Sequence, residues 1–187
     1  LHSGGVYFDG TVGGGGHSCE ILRRTAPDGR LIATDLDDDA IAAAESRLSD
    51  FSGRYRIYKS NFKDFASVLE REGVDELDGV MLDFGVSSFQ LDEVSRGFSY
   101  MQDAPLDMRM DESAAFTAAD VVNGYSREQL CRILRDYGEE RFANRIAENI
   151  VRVRADHRIE RSGELAPIAE ESIPAKFRHN GPCPRKT

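Results

Sequence analysis

A run of glycines set between a strand and a helix constrains this chain more than any other feature. Val6-Tyr7-Phe8-Asp9 reads as a short buried strand. Gly10-Thr11-Val12-Gly13-Gly14-Gly15-Gly16-His17-Ser18 follows at once, and Cys19-Glu20-Ile21-Leu22-Arg23-Arg24 continues as the first turns of a helix. Glycine tolerates φ > 0 and lets a ligand lie against the backbone, while a helix start presents unsatisfied N–H groups. Strand, glycine-rich turn and helix together form the mouth of a nucleotide-type pocket.

The residues that follow repeat the β-α pattern. Pro27-Asp28-Gly29 makes a turn into a second strand, Arg30–Asp35, and Asp38 or Asp39 is placed to cap a second helix reaching Leu48. Arg54–Lys59 reads as strand three and Lys63–Glu72 as helix three, with Phe65, Val68 and Leu69 at helical spacing. Gly79–Asp83 reads as strand four. Repeated units of this size predict a parallel sheet with helices on both faces. Four such strands followed only by helices leave strand four near a sheet edge, which suggests one module of a longer protein.

After Phe84 the pattern changes. Residues 84–110 are rich in Gly, Ser, Asp and Met with no clear period. A loop of that length inside a compact domain is usually functional. From Ala114 the signals are helical: Ala114–Val122, Ser126–Tyr137, Glu139–Arg154 and Glu164–Ile173. In the third of these, Phe142, Ile146, Ile150 and Val153 share one face, while Arg141, Arg145 and Arg152 share another. That arginine row fits a solvated helix face or a set of phosphate contacts. Pro174–Thr187 reads as a linker or an unfinished loop. The expected domains are therefore 1–110, carrying the glycine loop, and 111–187, helical.

Charge divides along similar lines. The net charge of −9 speaks against a nucleic-acid partner only until its distribution is considered. Residues 1–120 carry 11 Lys and Arg against 23 Asp and Glu, whereas residues 121–187 carry 13 against 10. A local basic face matters more for RNA than the total. No apolar run approaches the roughly 20 residues that span a bilayer, and no signal-peptide pattern opens the chain. Cys19, Cys131 and Cys183 are odd in number and widely spaced, which predicts a reducing compartment without a disulfide framework. His179 and Cys183 make one pair, too few ligands for a metal site.

Which ligand the glycine mouth holds can be narrowed. Gly10 and Gly15 have P-loop spacing, but Gly16 and His17 stand where Lys and Ser or Thr are required. A dinucleotide fingerprint fails in both registers, at Ser18 or at Cys19. S-adenosylmethionine has no phosphates, so for it the loop need only approach an amino acid and a sugar. Asp35 ends strand two, 22 residues after Gly13, where an acid can take ribose hydroxyls. A ribose diol alone does not separate this cofactor from NAD. Asp83, at the end of strand four, is either a helix cap or a residue facing cofactor and substrate. Phe62 is either core or an adenine contact.

Five segments carry a closer resemblance. They are Asp9–Ser18, Leu82-Asp83-Phe84-Gly85-Val86-Ser87-Ser88-Phe89-Gln90-Leu91-Asp92, Arg96-Gly97-Phe98-Ser99-Tyr100-Met101, Pro105-Leu106-Asp107-Met108-Arg109-Met110 and Tyr137-Gly138-Glu139-Glu140-Arg141-Phe142-Ala143. In this order, across nearly the whole chain, they resemble the ribosomal RNA small-subunit methyltransferase H (MraW) family. The resemblance implies an α/β fold, a Rossmann-like class I methyltransferase sheet with an inserted all-helical domain. It implies S-adenosylmethionine-dependent methylation of the exocyclic N4 of a cytidine in the decoding region of bacterial small-subunit rRNA, in the cytoplasm. The partner is then the rRNA or the assembled small subunit, with no membrane involved.

Carried over residue by residue, the resemblance sets Gly15, Gly16 and His17 against the cofactor, Asp35 on its ribose, Phe62 near its adenine, and Asp83 and Gln90 close by. Phe84 and Phe89 stand where the family pattern leads us to expect Leu and Pro. An N-terminal helix before strand one and further sheet strands after the helical insert, both expected of the family, lie outside this sequence. Asp83 and Asp107 are the candidate proton acceptors for the target amine. Arg109 is placed to pair with Asp107 or to hold an RNA phosphate. Phe98, Tyr100 and the methionines either stack on an unstacked base or form loop core. A non-catalytic cofactor- or RNA-binding module is the alternative from another class.

Overall fold

The computed structural model describes residues 1–178, apart from the side chains of Ser88 and Phe89. His179 and Cys183, the pair considered for a metal, lie outside the described residues. The chain divides into two compact units, residues 1–87 with 110–112 and residues 88–109 with 113–187.

The first unit is built on four parallel strands: β1 (Val6–Asp9), β2 (Arg30–Asp35), β3 (Tyr55–Lys59) and β4 (Gly79–Met81), in the order β3-β2-β1-β4. Successive strand residues point to opposite faces. Tyr7, Leu31 and Ala33 therefore go to one side, where they pack with Leu22, Ala44 and Leu48 from α1 (Gly16–Arg24), α2 (Asp38–Arg47) and the residue that ends α2. Phe8 and Ile32 go to the other, against Val68 of α3 (Phe65–Glu72). Near-continuous apolar strands covered on both faces are what a doubly wound parallel sheet requires. This is the parallel sheet with helices on both faces that the alternating pattern predicts, and it is the Rossmann-like α/β arrangement that the family resemblance implies.

Local chemistry moves some boundaries. Helix α2 is capped by Asp37, not by Asp38 or Asp39; its carboxylate accepts the Asp39 N–H at 3.1 Å. Helix α3 begins at Phe65, because Phe62–Asp64 forms a 3₁₀ turn first, with the Asn61 side chain accepting from the Lys63 N–H at 3.0 Å. Strand β4 stops at Met81, two residues short of the expected end. Gly15, the N-cap of α1, sits at φ 75°, and a Cβ there would meet Ala44 Cα of α2 at 3.1 Å. Glycine at this position thus serves both the left-handed turn and the close approach of two helices.

The second unit contains α4 (Ser88–Asp92), α5 (Ala118–Gly124), α6 (Arg127–Asp136), α7 (Ala143–Arg154), α8 (Ser162–Ser172) and α9 (Ala175–Arg178). Two capping boxes start α5 and α6, Thr117 with Asp120 and Ser126 with Gln129. Ile146 and Ile150 of α7 are buried with Val122, Leu130, Ile159 and Ile168, while Phe142 and Val153 pack at the margin of that core. Of the arginine row, Arg145 and Arg152 lie on α7 and are exposed with Glu148 between them, whereas Arg141, also exposed, precedes the helix.

The long aperiodic loop is knitted into this unit by its backbone. Leu106 N–H donates to Glu160 O, Ser162 N–H to Ala104 O, and the Ala118 and Ala119 N–H groups donate to Asp107 O and Leu106 O. Gly97, at φ 70°, lies so close to this segment that an added Cβ would strike the carbonyl oxygen of Pro105. Substituting Gly97 by alanine is expected to cost at least about 1–3 kcal/mol of stability, from positive φ plus a clash with rigid backbone. A denaturant midpoint unchanged from wild type would contradict this.

Candidate functional site

The first unit gathers its polar groups at the carboxyl ends of its strands, where open α/β sheets bind ligands. β1 runs out into the glycine loop. Gly10 N–H donates to Met81 O, and Val12 N–H donates to Thr34 O. The loop is thereby hung between β4 on one side and β2 on the other. Asp35, ending β2, accepts the Gly13 N–H on Oδ2 at 2.8 Å, and its other oxygen accepts the N–H groups of Leu36 and Asp37. The acid predicted to face a ribose therefore also fixes the glycine turn. A carboxylate has about four acceptor sites, so capacity for a further hydroxyl remains. Gly14 faces open space, and Gly16 has Arg47 Nη1 as the nearest group to its missing side chain.

Phe62 and Asp83 complete this rim. Phe62 follows β3, is 37% exposed, and has its ring 5.5 Å from that of Phe84. Asp83 follows β4; its backbone N–H donates to Thr11 Oγ1 at 2.7 Å. Its exposed carboxylate lies 3.6 Å from Nε2 of His17, a residue in the first turn of α1. Gly15, Gly16, His17, Asp35, Phe62 and Asp83 thus share one edge of one unit.

Gln90 and Asp107 belong to the second unit. Gln90 is buried in α4. Asp107 holds Arg109 in a two-pronged pair, with Oδ1 accepting from Nε at 2.9 Å and Oδ2 from Nη2 at 2.6 Å. The Arg109 guanidinium holds the Asp107 carboxyl below the usual carboxylate range, more than offsetting partial burial. Between them Met108 sits at φ 59°, an uncommon conformation for a side chain of this size. A cavity of about 440 Å³ opens beside them, walled by Phe98, Tyr100, Met101, Leu106, Met108 and Pro167 of α8.

Three first-unit residues escaped the sequence reading. Asp9 is almost fully buried at the end of β1; Oδ2 accepts from Ser18 Oγ at 2.7 Å and Oδ1 from the Thr11 N–H at 3.1 Å. It ties the start of the glycine loop to α1, while Thr11 ties the loop to Asp83. The available signal was an acid before the run and hydroxyls within it, but Ser and Thr there read equally as turn formers.

Burial is the leading influence on Asp9 and pushes its carboxyl up; the Ser18 and Thr11 hydrogen bonds pull it back in part. The folded state therefore holds the Asp9 proton more tightly than the unfolded chain does. This stabilisation is full below the unfolded pKa, near 3.9, and is lost as pH rises through the folded value. Asn at position 9 retains an acceptor and removes the titration. The stability of Asp9→Asn relative to wild type is expected to rise from acid to neutral pH, measured by thermal unfolding; a pH-independent difference would contradict the shift.

Comparison with known families matches residues 1–187 to the MraW methylase family. The chain belongs to that family. It is 51% identical over 186 residues to the ribosomal RNA small subunit methyltransferase H of Symbiobacterium thermophilum, covering 100% of this chain and 58% of that protein. It is 52% identical over 183 residues to ribosomal RNA small subunit methyltransferase H 2 of Agathobacter rectalis, covering 97% and 58%. It is 54% identical over 172 residues to the ribosomal RNA small subunit methyltransferase H of Geobacter sp. strain M21, covering 92% and 55%. The chain thus spans somewhat over half the length of these curated MraW relatives. Among the described residues no helix is long and apolar enough to cross a membrane, and no cluster of three or more His, Cys, Asp and Glu is placed to hold a metal ion.

Proposed function

We propose that this chain carries the S-adenosylmethionine site of a methyltransferase acting on the exocyclic N4 of a cytidine in the decoding region of bacterial small-subunit rRNA. The observation that carries the cofactor reading is the Gly13–Asp35 hydrogen bond. It joins a glycine turn without a P-loop lysine to an acid at the end of β2, which suits a ligand with a ribose and no phosphates. The rim fits that ligand: Gly14 leaves space, Asp35 keeps acceptor capacity, and Phe62 offers a part-exposed ring. Gly15, Gly16, His17 and Asp35 would hold the cofactor with Phe62 at its adenine, and Gln90 joins this set on family resemblance. When bound, the cofactor supplies an electrophilic methyl group on a sulfonium.

The chain's own residues then have to prepare a weak nucleophile. The N4 lone pair of cytosine is shared with the ring, so the amine must be held in line and its proton accepted as it becomes cationic. Asp83 suits that role, because its main chain is fixed by Thr11 while its carboxylate is exposed. Asp107 is committed to Arg109, and that pairing lowers its basicity, so a loop-positioning role suits it better. Phe98 and Tyr100 offer faces on which an unstacked RNA base can lie.

Two assays test this reading. Calorimetry on the chain with S-adenosylmethionine, S-adenosylhomocysteine and NAD is expected to show heat of binding for the first two only. Methyl transfer by a full-length protein carrying this sequence should label purified small subunits at a cytidine. Binding of NAD alone would overturn the cofactor, and binding without any transfer would favour the non-catalytic module.

A further inference from the structure

The motif Tyr137–Ala143 matched the family pattern, yet the cofactor rim does not use it. It forms the turn between α6 and α7, and α9 packs beside it. The rings of Phe142 and Phe177 lie 5.5 Å apart. The Arg141 guanidinium lies 5.1 Å from the Phe177 ring centre and 5.8 Å from that of Phe142. Lys176 Nζ lies 4.9 Å from the same Phe177 ring. Two cations are thus gathered on one aromatic platform. Glu140, the nearest acid in sequence, accepts the Phe142 N–H on its carboxylate at 2.6 Å. Among the described residues, neither Arg141 nor Lys176 has a carboxylate within ion-pair distance.

Rings attract each cation singly but do not relieve the repulsion between the two; an anion placed between them does. Arg145 stands exposed one turn further along α7. Tyr137, which closes α6 at the start of the same turn, is 80% exposed. Exposed aromatics together with cations that have no carboxylate partner among the described residues are the combination that binds single-stranded nucleic acid, with phosphates on the cations and a base on the ring.

We propose that Arg141 and Lys176, with Tyr137 from the same turn as Arg141, form a contact surface for single-stranded RNA, the cations taking backbone phosphates and Tyr137 a base. This rests on the rRNA reading above and adds where the second unit grips its substrate. Arg178 is outside the set, because its guanidinium donates to the carbonyls of Ile173 and Glu171.

The test measures binding of a labelled single-stranded oligoribonucleotide by a full-length protein carrying this sequence, across a salt series. The double variant Arg141→Gln with Lys176→Gln is expected to weaken binding on the order of tenfold at low salt, and to reduce the slope of log K against log salt by about 1.4, from about 0.7 per phosphate on a single strand. The charge-retaining pair Arg141→Lys with Lys176→Arg should keep the wild-type slope. Tyr137→Ala should weaken RNA binding by about tenfold without weakening binding of polyglutamate. In methyl transfer the double variant should raise KM for the RNA with kcat unchanged. A wild-type slope and KM in the double variant would overturn the surface, and so would equal loss of RNA and polyglutamate binding in Tyr137→Ala. Wild-type protein that binds RNA through these residues yet transfers no methyl group would instead overturn the methyltransferase reading and leave the surface standing.

Discussion

Alanine at position 83 is expected to lower kcat for methyl transfer by about 10²–10⁴, the range ascribed to a positioned acid–base group. Two features of the rim lead to this expectation. The Asp83 main chain is fixed by the Thr11 hydroxyl at 2.7 Å, so the residue does not wander. Its carboxylate is exposed, with His17 at 3.6 Å the ion-pair partner among the described residues. An acceptor that is held in place but not consumed by the fold suits an incoming amine. Asn at the same position keeps one acceptor oxygen and loses the negative charge. Asp83→Asn should therefore bind the cytidine edge better than Asp83→Ala while remaining slow in chemistry. Because Asp83 also borders the proposed cofactor site, some loss of S-adenosylmethionine affinity is expected, but much smaller than the loss in kcat. Single-turnover labelling of small subunits at saturating cofactor separates the two effects. A rate within a few-fold of wild type would remove Asp83 from the chemistry.

Much of this architecture was legible because strand periodicity and turn chemistry agree. Tyr7 and Phe8, then Leu31 and Ile32, put apolar side chains on both faces, so the strands read as buried and parallel. The Pro27-Asp28-Gly29 turn and the acid at position 35 bracket β2, whose observed limits coincide with the predicted ones. Boundaries set by individual side chains were harder. Strand β4 looked longer because Leu82 and Asp83 continue an apolar-to-acid ending, yet the Asp83 N–H is taken by a threonine from another loop. Helix α7 starts at Ala143 instead of Glu139, because Glu140 turns back to accept the Phe142 N–H. The candidate rim was legible in its acids and glycines, which have few other reasons to occupy strand ends. Its hydroxyls were not: Thr11 and Ser18 act through contacts 72 and 9 residues away in the chain, and local pattern does not encode these. The Asp107–Arg109 pair was visible as two neighbouring charges. That both prongs close on each other depends on the left-handed turn at Met108.

Asp35→Ala is expected to produce the larger loss of cofactor affinity, because one residue serves two purposes there. Its carboxylate accepts three backbone N–H groups, from Gly13, Leu36 and Asp37. Hydrogen bonds to a charged group contribute about 1.5–3 kcal/mol each in favourable cases. The Leu36 and Asp37 contacts are local to the end of β2, whereas the Gly13 contact reaches across to the glycine loop, so it matters most. Without it the glycine turn loses its anchor to β2, and the surface the cofactor would meet is no longer held in advance. The ribose hydroxyls lose their acceptor in the same step. Together these predict a fall in S-adenosylmethionine affinity of roughly 100-fold or more, from two charge-assisted contacts at about 1.5 kcal/mol or above. Stability should fall by only about 1–2 kcal/mol, since the β1-β2 pairing is untouched. Asp35→Asn separates the two purposes. An amide oxygen can still accept the Gly13 N–H, restoring the turn, but its uncharged group is a weaker partner for a diol. Its affinity should lie between those of wild type and Asp35→Ala, with stability close to wild type. Calorimetric titration beside thermal unfolding checks both. If Asp35→Ala bound S-adenosylmethionine as wild type does, Asp35 would neither hold the ribose nor prepare the turn for it, and another part of the rim would have to do both.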